Sequence, residues 1–283
     1  MNELVQRIVT GIFFVIILIG GVVWNEYSFM LLFGLLTILS INEYYNIIQD
    51  KLNAGVDWKT LYKFLSTIFG VVIFAIIFLV SSGKIPLIYL TLIAAFPLCW
   101  FVIEMYHESD SPFTNVCYNS MALFYIAIPF GSASFLVFKQ GGDVYDFKYL
   151  LAILFFAWAN DSFAYLTGRL FGKHKLFERI SPKKTWEGFA GGAVLTILFA
   201  FGVNYLFKYY NLSDISIAHY LAMAGITVVT STYGDLAESM IKRNLNIKDS
   251  GHSLPGHGGF LDRFDGLIFS IPACSIYIIA TGI

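Results

Sequence analysis

Tyr149-Leu150-Leu151-Ala152-Ile153-Leu154-Phe155-Phe156-Ala157-Trp158-Ala159 carries no charge and no helix breaker, and the run continues through Asn160-Asp161 to Gly168 before Arg169 ends it. About 20 apolar residues suffice for a helix to cross the hydrocarbon of a bilayer. Working outward, runs of the same kind lie at roughly 8–24, 27–49, 64–80, 85–103, 116–138, 149–168, 188–207, 217–233 and 265–282. The fold class expected is all-α, a polytopic integral membrane protein with about nine transmembrane helices. Residues 1–283 are expected to form one membrane domain, in which 1–140 holds spans of weak motif content and 150–283 holds the polar motifs.

Composition agrees. Charged residues are 13% of 283 and apolar residues 57%, with a mean hydropathy of +0.70, too apolar for a water-soluble core alone to hide. A formal charge of −1 argues against a polybasic nucleic-acid binder. Cys99, Cys117 and Cys274 share no metal-ligand spacing and read as buried small hydrophobes. Arg7 before an apolar run imitates a secretory signal, but a second span follows almost at once and no small-x-small site precedes Trp24, so a retained first helix is expected.

Loop charge sets the orientation. Of the 18 lysines and arginines, 14 fall before the first run or in alternate loops after it. The positive-inside bias then puts the N-terminus in the cytoplasm and the C-terminus outside. The two charge-rich loops, 169–187 and 234–264, land together on the cytoplasmic side, where nucleotides are.

Two acids sit inside apolar runs. Asp161 precedes Arg169 by eight residues, so it lies about 12 Å below the helix end. Glu43 has a similar depth relative to Lys51. A carboxylate there is unfavourable by roughly 2.5–3.5 kcal/mol unless it is paired or faces a wet cavity. A structural lock between helices and a functional role are both open for Glu43. For Asp161, beside Asn160 and leading into a basic loop, the functional reading is favoured.

That loop holds Ser181-Pro182-Lys183-Lys184-Thr185-Trp186-Glu187-Gly188. Ser181 as N-cap with Pro182 at the first helical position predicts the start of the seventh span. Lys183 and Lys184 would oppose the helix dipole there unless they meet a bound phosphate. Thr185 and Glu187 add a hydroxyl and a carboxylate to the same turn. Headgroup anchoring is the plain alternative. Gly188 and Gly192 form a GxxxG pair, which predicts close helix packing.

If the eighth span continues as helix, Asp235, Glu238, Ser239 and Lys242 share one face. A solvated amphipathic face would give the same spacing. Pro255-Gly256-His257-Gly258-Gly259 then predicts a tight turn whose amides could cradle phosphate, and Asp262 and Asp265 open the ninth span. Two acidic helix ends, a glycine turn and Lys242, Arg243, Lys248 and Arg263 within about thirty residues are the parts that magnesium-assisted phosphoryl or nucleotidyl transfer uses.

Ser239-x2-Lys242-Arg243-x4-Lys248-Asp249, followed by Pro255-Gly256-His257-Gly258-Gly259-x2-Asp262-Arg263-x-Asp265, resembles the signature of the phosphatidate cytidylyltransferases without a gap. Asn160-Asp161, the Ser181–Gly188 segment and Gly234-Asp235 resemble that family's other shared segments. The likeness covers roughly 150–283. It implies an integral enzyme of phospholipid biosynthesis in the plasma membrane, taking CTP and phosphatidic acid to CDP-diacylglycerol and pyrophosphate with Mg²⁺, its active site cytoplasmic, and a possible homodimer. On the resemblance, Asp235 and Asp262 are the metal ligands, with Asp265 and Lys242 also catalytic. Ser181, Lys183, Lys184, Lys242 and Arg243 would meet phosphates. Asn160, Asp161, Thr185, Glu187, Ser239, Lys248, His257, Gly258, Gly259 and Arg263 complete the substrate-binding set. The rival readings are a CTP-dependent polyprenol or dolichol-type lipid kinase and, more remotely, an ion-coupled transporter built on Asp161 and Glu43.

Overall fold

The computed structural model describes residues 3–139, 142, 144–212, 215–247, 250–251 and 258–283. Predicted site residues Lys248 and His257 lie outside the described residues, as do Asp249, Pro255 and Gly256. The chain is mostly helical and forms two compact units, Met1–Tyr145 with Ile247–Arg263, and Asp146–Asn246 with Phe264–Ile283. Among the described residues seven helical segments are long and apolar enough to cross a membrane. Each covers one of the apolar runs. The two remaining runs, 8–24 and 217–233, fall on helices α1 (Glu3–Val23) and α9 (Ile217–Asn244).

In the first unit α1 leads into α2 (Glu26–Ile48) through a cap at Asn25. The Asn25 side chain accepts from the amides of Tyr27 and Ser28 at 2.9 Å, and the Asn25 amide donates to Ser28 Oγ at 3.0 Å, a reciprocal cap that opens the helix. Helix α3 (Val56–Ser81) packs antiparallel behind it, and Phe29, Phe33, Phe78 and Phe130 form an aromatic core.

The next two runs are not plain α-helices. The fourth begins as a 3₁₀ segment, Leu87–Ala94, and becomes α4 (Ala95–Glu104) around Pro97, which has no N–H for the usual i→i−4 bond. The fifth is α5 (Pro112–Ala122), a π-helical turn at Leu123–Ala127, α6 (Ile128–Ser132) and a 3₁₀ turn at Ala133–Leu136. Pro129 breaks the bond ladder beside the π turn in the same way. Large apolar side chains such as Phe13, Ile16 and Leu31, each more than 60% exposed, fit a lipid-facing surface.

The second unit contains α7 (Lys148–Phe171), an antiparallel hairpin β1 (Lys175–Phe177) and β2 (Ser181–Thr185), α8 (Trp186–Tyr209), α9 and most of α10 (Leu261–Thr281). Helices α7 and α8 approach closely where both are small. A Cβ on Gly188 would sit 2.8 Å from Ala164 O, and one on Gly192 would sit 2.9 Å from Ala164 Cβ. The GxxxG pair is therefore a packing device.

The start of α8 corrects the sequence reading. Ser181 does not cap a helix and Pro182 does not open one; both lie in β2, with Ser181 opposite Phe177. The cap is Thr185, which is extended and accepts from Gly188 N at 3.1 Å. Ser-Pro favours extended backbone as readily as a helix entry, and pairing with β1 decides between them. Lys183 and Lys184 thus precede the helix, and the argument from its dipole does not apply to them. The three cysteines are free; Cys274 is buried as expected, but Cys117 lies on the outside of α5.

Candidate active site

In the second unit the predicted residues gather around one ion pair. Lys184, at the end of β2, places its ammonium 2.6 Å from the Asp235 carboxylate on α9 and 3.5 Å from Thr232 O. The helix that began as the eighth apolar run does continue past Asp235, to Asn244. Its polar side chains bond along the face that the spacing defined. Ser239 Oγ donates to Asp235 Oδ1 at 3.2 Å, and Lys242 Nζ lies 3.1 Å from Glu238 Oε2.

More acid surrounds this pair. Asp161 on α7 lies within electrostatic reach of Asp265, Asp235 and Lys184. Asp265 on α10 lies within reach of Asp235 and Lys242, and the buried Glu238 is close to it. Helices α9 and α10 are close enough there that a Cβ on Gly234 would meet Gly266 Cα at 3.0 Å. Four carboxyl groups therefore stand against the two ammoniums of Lys184 and Lys242. Asn160, one residue before Asp161, is buried and donates to Ser231 Oγ at 3.2 Å.

The rest of the basic loop is held by its own contacts. Glu187 accepts from Lys173 N at 3.0 Å and His174 N at 3.2 Å, and pairs with His174 Nδ1 at 2.6 Å. Thr185 Oγ1 is engaged as the cap. Ser181 is half-buried, while Lys183 and Arg243 are exposed.

In the first unit the C-terminal signature folds onto a residue that the sequence left undecided. Glu43 is 3% exposed on α2. It accepts from Ser250 Oγ, from Phe260 N at 2.8 Å and from Leu261 N at 3.1 Å. Asp262 accepts from Ser250 N at 3.1 Å and Gly259 N at 2.9 Å. Gly258 has φ of 84°, the left-handed region that suits glycine. A Cβ on Gly259 would overlap the Glu43 carboxylate and the Ser250 hydroxyl. The described part of the glycine turn thus gives its amides at 259, 260 and 261 to two protein carboxylates. Arg263 is exposed beside it.

The model of a cytidylyltransferase family matches residues 5–281. The chain belongs to the cytidylyltransferase family. It is an enzyme of the nucleotidyltransferase class. It is 31% identical over 287 residues to a phosphatidate cytidylyltransferase of Haemophilus influenzae, covering 96% of this chain and 97% of that one. A phosphatidate cytidylyltransferase of Thermotoga maritima is 30% identical, with 98% and 96% covered. One from Bacillus subtilis is 38% identical over 160 residues, 56% of this chain and 57% of the relative.

As a cytidylyltransferase the chain must hold a nucleoside triphosphate, and the described residues bear on how. No group of three or more His, Cys, Asp or Glu side chains among them is disposed as a ready-made metal centre. Mg²⁺ does not require one, since it is held by one or two carboxylates with substrate phosphates and water. The donor chemistry fits. Carboxyl groups outnumber ammoniums around Asp235, an excess of negative charge that a divalent cation would offset. Sequence reasoning missed Ser250 and Thr232, ordinary hydroxyl residues without a spacing signal. It found Glu43 as an acid in the second apolar run and left its role open between a structural lock and a function.

Proposed function

We propose that the chain transfers CMP from CTP to phosphatidate, giving CDP-diacylglycerol and pyrophosphate in phospholipid synthesis. The observation that carries this reading is the Lys184–Asp235 pair amid Asp161, Asp265 and Glu238. It joins the two chemistries that the reaction needs, acids for a magnesium nucleotide and ammoniums for phosphate. The relatives named above supply the acceptor class.

The phosphatidate headgroup is already an anionic oxygen nucleophile near neutral pH, so no dedicated base is required. One of its oxygens forms the new bond to the α-phosphorus as the bond to the β-phosphate bridging oxygen breaks. The difficulty is repulsion between two anions. When bound, Mg²⁺ supplies charge neutralisation on the triphosphate.

Asp235 and Asp262 are its ligands in this reading, assigned on the signature, and Asp265 is also catalytic. Lys184, Lys242 and Arg243 offset the remaining charge on the phosphates, and Ser181, Lys183, Lys248 and Arg263 extend that basic surface. Asn160 and Asp161 line the lipid-side approach. Thr185, Glu187, Ser239, His257, Gly258 and Gly259 shape the loops around the phosphates.

The seven apolar helical segments, with α1 and α9, give nine crossings in this reading. The N-terminus is cytoplasmic, the C-terminus is outside, and the site opens to the cytoplasmic face of the plasma membrane. The test is pyrophosphate release by the purified protein in micelles. Pyrophosphate release that requires both CTP and phosphatidate supports the reading; release of CDP from CTP with a polyprenol, or no pyrophosphate with phosphatidate, overturns it.

A further inference from the structure

Glu43 is a buried acid that the reaction does not use. It belongs to the N-terminal helices, where the signature has no counterpart, yet its contacts are to the signature. Its donors are 207, 217 and 218 residues away along the chain. The Ser250 hydroxyl and the Phe260 and Leu261 amides all donate to it, and both carboxylate oxygens accept: Oε1 from Ser250 Oγ and Leu261 N, Oε2 from Phe260 N. Phe260 and Leu261 stand at the start of α10, where amides have no partner within the helix. An acid placed there also complements the helix dipole.

Asp262 is held from the same segment. Ser250 is the hinge between the two acids, its amide on Asp262 and its hydroxyl on Glu43. Gly251 and Gly259 leave the room: a Cβ on Gly251 would sit 3.0 Å from Glu43 Cδ, and one on Gly259 would overlap the carboxylate. The Glu43 carboxylate therefore fixes the backbone at both 250–251 and 259–261, and that backbone fixes the rotamer of Asp262.

We propose that Glu43 is a positioning residue: it anchors the signature loop so that Asp262 is presented in one orientation to the magnesium nucleotide. This rests on the reading of Asp262 given above. Glutamine cannot replace Glu43, because one of its two ends would present N–H groups to donors. Residues that orient metal ligands typically change affinity or activity by roughly ten- to a hundred-fold when altered.

The test compares Glu43→Gln with Ser250→Ala, which removes one donor and leaves every backbone amide in place. In the metal-free protein, hydrogen exchange at the amides of Gly259, Phe260 and Leu261 is expected to quicken in both. With substrates, kcat should fall and the Mg²⁺ concentration for half-maximal rate should rise, by roughly tenfold or more in Glu43→Gln and less in Ser250→Ala. KM for phosphatidate should stay near that of the parent. Parent-like exchange and parent-like Mg²⁺ response in Ser250→Ala and in folded Glu43→Gln would overturn the proposal. If Glu43→Gln does not fold, Ser250→Ala decides alone. Asp262→Asn separates the two levels: if it stays active, the assignment of Asp262 fails, whereas an inactive Asp262→Asn beside a normal Glu43→Gln removes only the role of Glu43.

Discussion

The Lys184 ammonium lies 2.6 Å from the Asp235 carboxylate, joining the end of a β-hairpin to the middle of a helix 51 residues later. An ion pair at a partly exposed site contributes little to stability, about 0–1 kcal/mol. Its use is better understood as charge held ready for an anionic substrate. Lys184→Ala should therefore leave thermal unfolding in detergent nearly unchanged while lowering kcat about a hundredfold or more. Steady-state rates with saturating CTP and phosphatidate measure this.

Helix α8 gives a prediction about stability alone. Gly188 faces backbone, Ala164 O and Gly168 Cα, so the neighbour cannot turn aside for an added methyl. Gly188→Ala should destabilise by about 1–3 kcal/mol. Gly202, on the same helix, has open space around its Cβ position, and Gly202→Ala should be neutral or slightly stabilising. Paired thermal melts of the two variants check the contrast.

The corrected helix start can be tested in the same way. Thr185→Ala removes the only side-chain cap seen on α8 among the described residues and should destabilise by about 1 kcal/mol. Ser181→Ala, four residues earlier in the strand, should leave the melting temperature unchanged. The opposite order would restore Ser181 as the cap.

Much of the fold was legible because a run of about twenty apolar residues has few other solutions. The continuation of α9 through Asp235, Glu238, Ser239 and Lys242 followed from spacing, and the bonds along that face agree with it. What spacing does not carry is the choice between two local conformations that share a signal. Ser181-Pro182 is such a case, settled by pairing with Lys175–Phe177. The 3₁₀ and π segments are another, since Pro97 and Pro129 mark a disturbance without specifying its form. Least legible was Glu43. Its depth was readable, but its partners lie more than 200 residues away, and only the folded chain brings them together.

Chelation offers a prediction about the cation. Removing divalent ions with EDTA should abolish turnover, and restoring Mg²⁺ should recover it, while melting temperature changes little because carboxylates such as Glu43 and Asp262 have protein donors of their own. Full activity in excess EDTA would remove the metal from the reaction.

The central claim is that these acids and ammoniums move CMP rather than phosphate. Its most direct measurement follows α-labelled and γ-labelled CTP into extracted lipid, using the parent protein, Asp235→Asn and Asp262→Asn. The expected result is label from the α position alone in the lipid, with none above background in either folded variant. Label from the γ position in the lipid, or parent-like transfer by both variants, would contradict it.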